Sequence, residues 1–143
     1  MSILSDRGKH QAPRTHKTAA QTVTASWVDW GDEIDVDGAD DLGLMGILTK
    51  NNSTNIRVRV LAKTSSAGTL EAPLPLNVLS ATKVTVVTAG YIEFGTTDAA
   101  QHFIISAEVM KLYPYAQVQI QAGTVGVTGA TFSASEYSLG IRG

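Results

Sequence analysis

The sequence predicts an all-β protein, namely an antiparallel β-sandwich of jelly-roll-like type with an extended N-terminal arm. Three observations predict it. Apolar and polar residues alternate with a period of two in several segments, and turn residues recur about every ten residues. No long window keeps an apolar stripe at helical spacing without a glycine or proline. Strict alternation is typical of strands that bury one face, and turns at this spacing favour sandwiches and small barrels.

The strands can be placed in order from the alternation. The clearest are Asn55–Ala62 and Ala116–Ala122, and Gln101–Met110 follows the same pattern less strictly. Threonine and valine, which suit a pleated and half-buried surface, dominate the other candidates. These are Thr22–Val28, Met45–Lys50, Lys83–Thr88, Tyr91–Phe94, Val125–Thr128 and Thr131–Leu139.

Two further segments are not predicted to be central strands. Pro73 and Pro75 indicate an extended edge or connection at Ala72–Leu76, because proline cannot donate to a central ladder. Asn77–Thr82 is predicted to form one short helical turn.

The composition divides the chain into an arm and one domain. With 143 residues it has room for one globular unit and a tail. Residues 1–21 are polar and basic, so we expect an extended arm there and a β-sandwich domain over residues 22–143. We predict that the arm binds a partner through its four cationic side chains, Arg7, Lys9, Arg14 and Lys17.

Several function classes are disfavoured by composition and motif content. The chain contains no cysteine, which excludes disulfides, thiolate metal sites and cysteine nucleophiles. A net charge of −2 argues against direct nucleic-acid binding, and no apolar run approaches the length that spans a membrane. The start of the sequence lacks a secretion signal, so we expect synthesis in a cytoplasm. Neither an activated nucleophile nor a tuned acid–base pair can be named, so we predict no enzyme and no cofactor.

Acidic residues concentrate between Asp29 and Asp41. Glu33, Asp35, Asp37 and Asp41 partly follow the spacing of a calcium loop, but the position of its bidentate glutamate is Leu44. The alternative is a solvated acidic loop with an Asp-Gly turn at residues 37 and 38. Calcium binding at these residues stays an alternative, and no metal site is predicted. The acidic loop is also complementary to the basic arm, so one subunit's arm could dock on a neighbour's loop.

The few aromatic residues suggest one further hypothesis. Trp27 and Trp30 are expected on opposite faces of an extended segment, one in the core and one at the rim. Tyr113 and Tyr115 either cover the end of the sandwich or anchor a sugar or a protein partner. The stretch Leu112–Ser135 carries no charge, which indicates an interface or a strand edge that another segment covers.

Taken together, the chain resembles a bacteriophage head decoration (cement) protein. The features that carry the resemblance are a charged arm that begins Met1-Ser2-Ile3-Leu4-Ser5, a cysteine-free β domain rich in Thr, Val, Gly and Ala, and the closing run of residues 131–143. The resemblance implies a non-enzymatic structural protein of the virion, assembled in the host cytoplasm. It also implies homo-oligomers, with trimers favoured, bound to the major capsid protein on the outer capsid surface. A carbohydrate- or receptor-binding module and a tail or head–tail connector protein remain the alternatives.

Overall fold

The structure is a computed structural model that describes residues 14–17, 21–22, 24–49, 56–81, 84–88, 90–94, 100–122 and 131–140. These residues form strands joined by turns and contain no helix. The strands are β1 (Arg14–Lys17), β2 (Gln21–Thr22), β3 (Val28–Asp35), β4 (Asp41–Thr49), β5 (Ile56–Lys63), β6 (Glu71–Pro73), β7 (Leu76–Ala81), β8 (Val84–Thr88), β9 (Tyr91–Phe94), β10 (Ala100–Glu108), β11 (Tyr115–Ala122) and β12 (Thr131–Gly140).

The strands form two antiparallel six-stranded sheets that pack face to face as a β-sandwich. The first sheet has the order β1-β12-β4-β10-β7, and β2 also pairs with β12. The second sheet has the order β3-β11-β5-β9-β8, and β6 also pairs with β5. The chain crosses between the sheets at each step from β3 to β5 and again from β10 to β12. Eight of these strands therefore follow the jelly-roll order, β1-β12-β4-β10 facing β3-β11-β5-β9. The predicted fold class is confirmed.

The core lies between the two sheets and is built from the alternating residues that the sequence marked. Ile56, Val58 and Val60 of β5 are buried, while Arg57 and Arg59 between them face outward. The largest fully buried side chains are Trp30, Phe94, Phe103, Leu42, Leu44, Leu48, Ile56, Leu61, Ile92, Ile105 and Ile120. Burying one such side chain stabilises the fold by about 1.5–3 kcal/mol.

Two local predictions were wrong. Asn77–Thr82 was expected to form a helical turn, but Leu76–Ala81 is strand β7, because pairing with β10 decides the conformation of this short segment. Thr22–Val28 was expected to be a strand, but the described residues 24–27 are irregular and the strand begins at Val28. The candidate Val125–Thr128 lies outside the described residues.

Two interpretations of larger segments also changed. Part of the predicted arm, Arg14–Lys17, is an edge strand of the first sheet, paired with β12. The charge-free stretch contains β11 and the start of β12, and neither leaves an open edge in the described residues. β11 lies between β3 and β5, and β12 between β1 and β4. The part of this stretch that the structure describes is therefore covered along its strand edges by neighbouring strands of the same chain.

Candidate functional site

The strongest candidate for a functional site is an exposed apolar surface at one end of the sandwich. Four large apolar side chains stand there: Leu70 is 72% exposed, Leu112 68%, Met110 61% and Tyr113 36%. Three of them come from the loop that joins β10 to β11, and Leu70 comes from the loop that joins β5 to β6. We call these four residues the apolar tip. Clustered exposed apolar side chains mark contact surfaces more often than scattered ones do.

Two adjoining hollows shape the apolar tip. One, of about 270 Å³, is lined by Pro73, Pro75, Met110, Leu112 and Tyr113 among others. The second, of about 250 Å³, lies on the other side of Tyr113 and has Leu70 in its wall. Both share Ala62 and Ala72 in their lining. The ring of Tyr113 thus forms a ridge between two small depressions that side chains of a partner can fill.

The backbone under the apolar tip is strained and firmly held. Met110 and Lys111 both have positive φ, 55° and 57°, a region that costs a non-glycine residue about 1–3 kcal/mol. Neighbouring carbonyls fix this conformation: the amides of Val109 and Met110 both donate to the Asp40 carbonyl, at 2.8 and 2.7 Å. The Lys111 amide donates to the Ala39 carbonyl at 2.7 Å. The loop is therefore presented in one conformation instead of adapting to each partner.

The sequence contained a partial signal for this surface. Tyr113 was considered as a partner anchor, but the preferred interpretation was that it covers the end of the sandwich. Met110 was assigned to a strand, and Leu70 was not considered. The signal was the run Met110-Lys111-Leu112-Tyr113-Pro114, in which large apolar residues occupy a turn that polar residues usually occupy.

A second organised region closes the sandwich where β1 of the first sheet meets β3 of the second. Trp30 donates from Nε1 to Ser135 Oγ at 2.6 Å, and His16 Nδ1 lies 3.0 Å from the same oxygen. His16 Nε2 donates to the Asp32 carbonyl at 3.1 Å. A neutral His16 satisfies this chain, with Ser135 donating to Nδ1 and Trp30 donating to Ser135. Burial lowers the pKa of His16, although the bond to the Asp32 carbonyl partly raises it.

Gly31 completes this region, which we call the closed edge and define by His16, Trp30, Gly31, Asp32 and Ser135. Its φ is +69°, and a Cβ added there would come within 2.6 Å of His16 Nε2. Glycine is therefore required both for the backbone conformation and for the approach of the imidazole ring. His16 falls within the predicted arm, residues 1–21, and no role was predicted for it.

The predicted arm residues have different positions. Arg14 is an exposed residue of β1, whereas Lys17 is half-buried with its ammonium 5.3 Å from the centre of the Trp30 ring. Arg7 and Lys9 lie outside the described residues. The structure therefore leaves the partner-binding role of all four as a prediction.

The acidic segment, residues 29–41, extends over most of β3, the turn that follows it and the start of β4. Glu33 lies on β3, where it pairs with Lys63 and accepts hydrogen bonds from Ser66 Oγ at 3.0 Å and the Ala67 amide at 2.9 Å. The bonds from Lys63 and Ala67 hold the pKa of Glu33 below its usual value.

The other proposed ligands lie at the end of β3, in the turn that follows it and at the start of β4. Asp35 Oδ1 accepts from the Asp37 amide at 3.0 Å, and Gly38 has a φ of +77°, so the Asp-Gly turn is confirmed. Asp41 begins β4. No group of three or more His, Cys, Asp or Glu within the described part of the chain could hold a metal ion.

The outer face of the second sheet is a ladder of paired polar side chains. Arg57 contacts Glu93 at 2.7 Å, and Arg59 contacts Gln119 at 2.6 Å, each from one strand to a neighbouring one. Gln119 in turn donates to Asp29 Oδ1 at 2.8 Å.

Aromatic rings add to this ladder. The guanidinium of Arg59 lies 4.2 Å from the centre of the Trp27 ring, and Arg57 lies 5.3 Å from that of Tyr91. Trp27 is half-buried here and Trp30 is fully buried in the core, so the prediction of opposite faces is confirmed. Because the Trp30 side chain is fully buried, it offers no ring surface to a sugar in the alternative of a carbohydrate-binding module.

Comparison with protein-family models gives no match, and comparison with curated proteins gives none either. Among the residues that the structure describes, no helix is long and apolar enough to cross a membrane.

Proposed function

We propose that this protein is a non-enzymatic structural component of a bacteriophage virion that binds the outer capsid lattice as a decoration protein. The observation that carries the proposal is the apolar tip: four large apolar side chains exposed at one end of a jelly-roll sandwich, with strained and hydrogen-bonded backbone at Met110 and Lys111. Jelly rolls also occur in lectins and cupins, so the fold supports the proposal only by analogy.

The apolar tip would be the contact with the major capsid protein. Tyrosine is one of the residue types that dominate the binding energy at protein interfaces, and methionine is enriched there relative to the rest of the surface. Among the described residues, the linings of the two hollows include only Glu71 and Glu108 as charged side chains. Many copies on one lattice would make a modest contact at each tip collectively strong. The cationic residues Arg7, Lys9, Arg14 and Lys17 would add electrostatic attraction, and homo-oligomers with trimers favoured would position several tips together.

The experiment is co-sedimentation with capsid shells of the phage whose genome encodes the chain, prepared without this protein. We expect the full chain to pellet with the shells at a fixed number of copies per shell and to raise the temperature at which the shells open. Failure to pellet at any protein concentration, with the chain shown to be folded by its thermal melting, would contradict the proposal.

A second candidate function is carbohydrate binding on the outer face of the second sheet. The observation that favours it is the pair Trp27 and Tyr91, whose ring centres are 6.3 Å apart on a surface with polar neighbours. The arginines that cover these rings would have to move for a sugar to stack. A change in tryptophan fluorescence on adding oligosaccharides, abolished by Tyr91→Ala, would support it over capsid binding.

A further inference from the structure

A groove crosses the outer face of the first sheet, and Glu108 is the one described lining residue that it shares with the hollows of the apolar tip. Its volume is about 480 Å³. It follows three rows of residues that lie side by side on neighbouring strands. These rows are Glu136–Met45–Ile104, Ser138–Gly43–Ser106 and Gly140–Asp41–Glu108.

The groove owes its depth to the small residues of the middle row. Ser138, Gly43 and Ser106 form the floor, and a Cβ at Gly43 would lie 3.2 Å from Ser138 Oγ. One wall is apolar: Met45 is 49% exposed and Leu79 65% exposed. A strand or an extended peptide lying across the sheet would bury apolar side chains against this wall.

The charge of the groove has one sign. Its described lining contains the carboxylates of Asp41, Glu108 and Glu136 and no lysine, arginine or histidine. Glu108 and Glu136 are exposed and lie on opposite sides of the small-residue floor. The arrangement fits an extended segment that carries both apolar and cationic side chains.

The chain itself contains such a segment directly before β1 in the sequence. Residues 1–13 precede β1 and include the apolar Ile3 and Leu4 followed by the cationic Arg7 and Lys9. β1 begins at Arg14, which lies beside Tyr137, and Tyr137 is one of the residues that line the groove.

Length and direction indicate which groove the segment reaches. Thirteen residues can span about 40 Å when extended, more than the width of the strands that the groove crosses. Pro13 favours extended backbone in the residue before it, and an extended continuation of β1 from Arg14 would run along the edge of its own sheet and not across the face where the groove lies.

We propose that the groove binds residues 1–13 of a second copy of this chain. Ile3 and Leu4 would pack on the Met45 and Leu79 wall, while Arg7 and Lys9 would pair with Glu108 and Glu136. The contact requires only a second copy and does not depend on capsid binding, so each proposal can fail while the other holds.

The test is zero-length carbodiimide cross-linking of the full chain, which joins lysine amines to carboxylates that they contact. Equal amounts of unlabelled and ¹⁵N-labelled protein are mixed, cross-linked and digested, and the linked peptides are identified by mass spectrometry. We expect links from Lys9 or the chain amino group to Glu108 or Glu136, with mixed light–heavy pairs. Links confined to one isotope would show docking within one copy and would overturn the proposal.

Two variants test separately whether binding depends on the charge of the groove or on its shape. Glu108→Gln with Glu136→Gln removes the cation partners, and Ser106→Tyr fills the floor while keeping every charge. We expect each to reduce mixed-isotope links from Lys9 to other groove peptides and to lower the mass measured by light scattering toward that of the 15.1 kDa monomer. Glu71→Gln, an exposed carboxylate of β6, is the matched control and should change neither. Unchanged mass in both groove variants, with thermal melting showing them folded, would overturn the proposal.

Discussion

The closed edge and the apolar tip both contain backbone with positive φ, but they accommodate it in opposite ways. At the closed edge the residue is Gly31, which adopts a φ of +69° without a side-chain penalty and lets His16 approach. At the apolar tip the residues are Met110 and Lys111, which pay that penalty.

The polar groups and side chains of the two regions differ as well. The closed edge satisfies its polar groups internally, through Trp30, Ser135 and His16. The tip leaves apolar side chains exposed. The difference indicates that the closed edge serves stability, and it supports the proposal that the tip presents Met110 and its neighbours to a partner.

The largest expected effect is on capsid binding, from Met110→Ser combined with Leu112→Ser. Removing two side chains that fill partner pockets should weaken binding to capsid shells by at least about tenfold. Because both side chains are more than half exposed, the melting temperature should stay close to that of the unaltered protein. Co-sedimentation at low occupancy, where contacts between copies do not contribute, measures the change.

Leu79→Ser is the matched control for that variant. Leu79 is 65% exposed but lies on the first sheet, away from the tip. It should leave capsid binding unchanged at a protein concentration at which both variants are monomeric, a condition that is needed because Leu79 also lines the groove proposed to bind a second copy. An equal loss of binding in this control would mean that general surface hydrophobicity, and not the tip, drives attachment.

The next effect is on the stability of the fold and comes from the closed edge. Gly31→Ala should lower the free energy of unfolding by about 3 kcal/mol, because it adds a positive-φ penalty and displaces His16. Gly38→Ala carries the same backbone penalty, at a φ of +77°, but its Cβ would meet nothing within 4 Å. In urea denaturation, Gly31→Ala should lose more free energy of unfolding than Gly38→Ala, and the difference is the cost of moving His16. Equal losses in the two variants would exclude a role for the contact with His16.

A smaller effect, a gain in stability, is expected at the apolar tip. Lys111→Gly should raise the free energy of unfolding by up to about 1 kcal/mol, because glycine relieves the strain at a φ of 57°. The Lys111–Asp40 ion pair, at 4.0 Å, is too exposed and too long to offset this gain. Thermal denaturation measures the change, and a destabilised variant would mean that the left-handed conformation at Lys111 carries no strain.

The smallest effect is a pH dependence from His16. Its pKa is lowered by burial from the ordinary value of 6.5, so the unfolded chain takes up a proton before the folded protein does. The free energy of unfolding should therefore be constant above about pH 6.5, fall as the pH drops below that value, and level off below the folded-state pKa. His16→Gln should flatten this slope between about pH 7 and pH 5 in thermal melts. A slope that persists unchanged would assign the dependence to other groups.

Much of the fold could be predicted because alternation survives wherever a strand has one wet face. β5 and β11 were placed within a residue, since arginine or glutamine alternates there with buried aliphatic residues, and β9 was placed at its observed bounds. β3 could not be found in this way. Residues 31–33 of β3 lie opposite the single residue Gln117, and this bulge places Asp32 outward where an inward residue was due.

The functional surface was less accessible to sequence reasoning for a different physical reason. Exposure of Met110 and Leu112 depends on where β10 ends and on the left-handed backbone that follows, and neither has a residue signature. The groove depends on register, because Ser138, Gly43 and Ser106 are distant in sequence and meet only through strand pairing. Pairing between strands that are distant in sequence determines which residues become neighbours in such sites. The alternation of residues within one strand carries no information about that pairing.

The most direct test of the central claim is electron cryo-microscopy of the full chain bound to capsid shells. The account predicts that Met110, Leu112 and Tyr113 are buried against the capsid protein while the outer face of the second sheet remains in solvent. A bound chain whose apolar tip points away from the shell into solvent would contradict it.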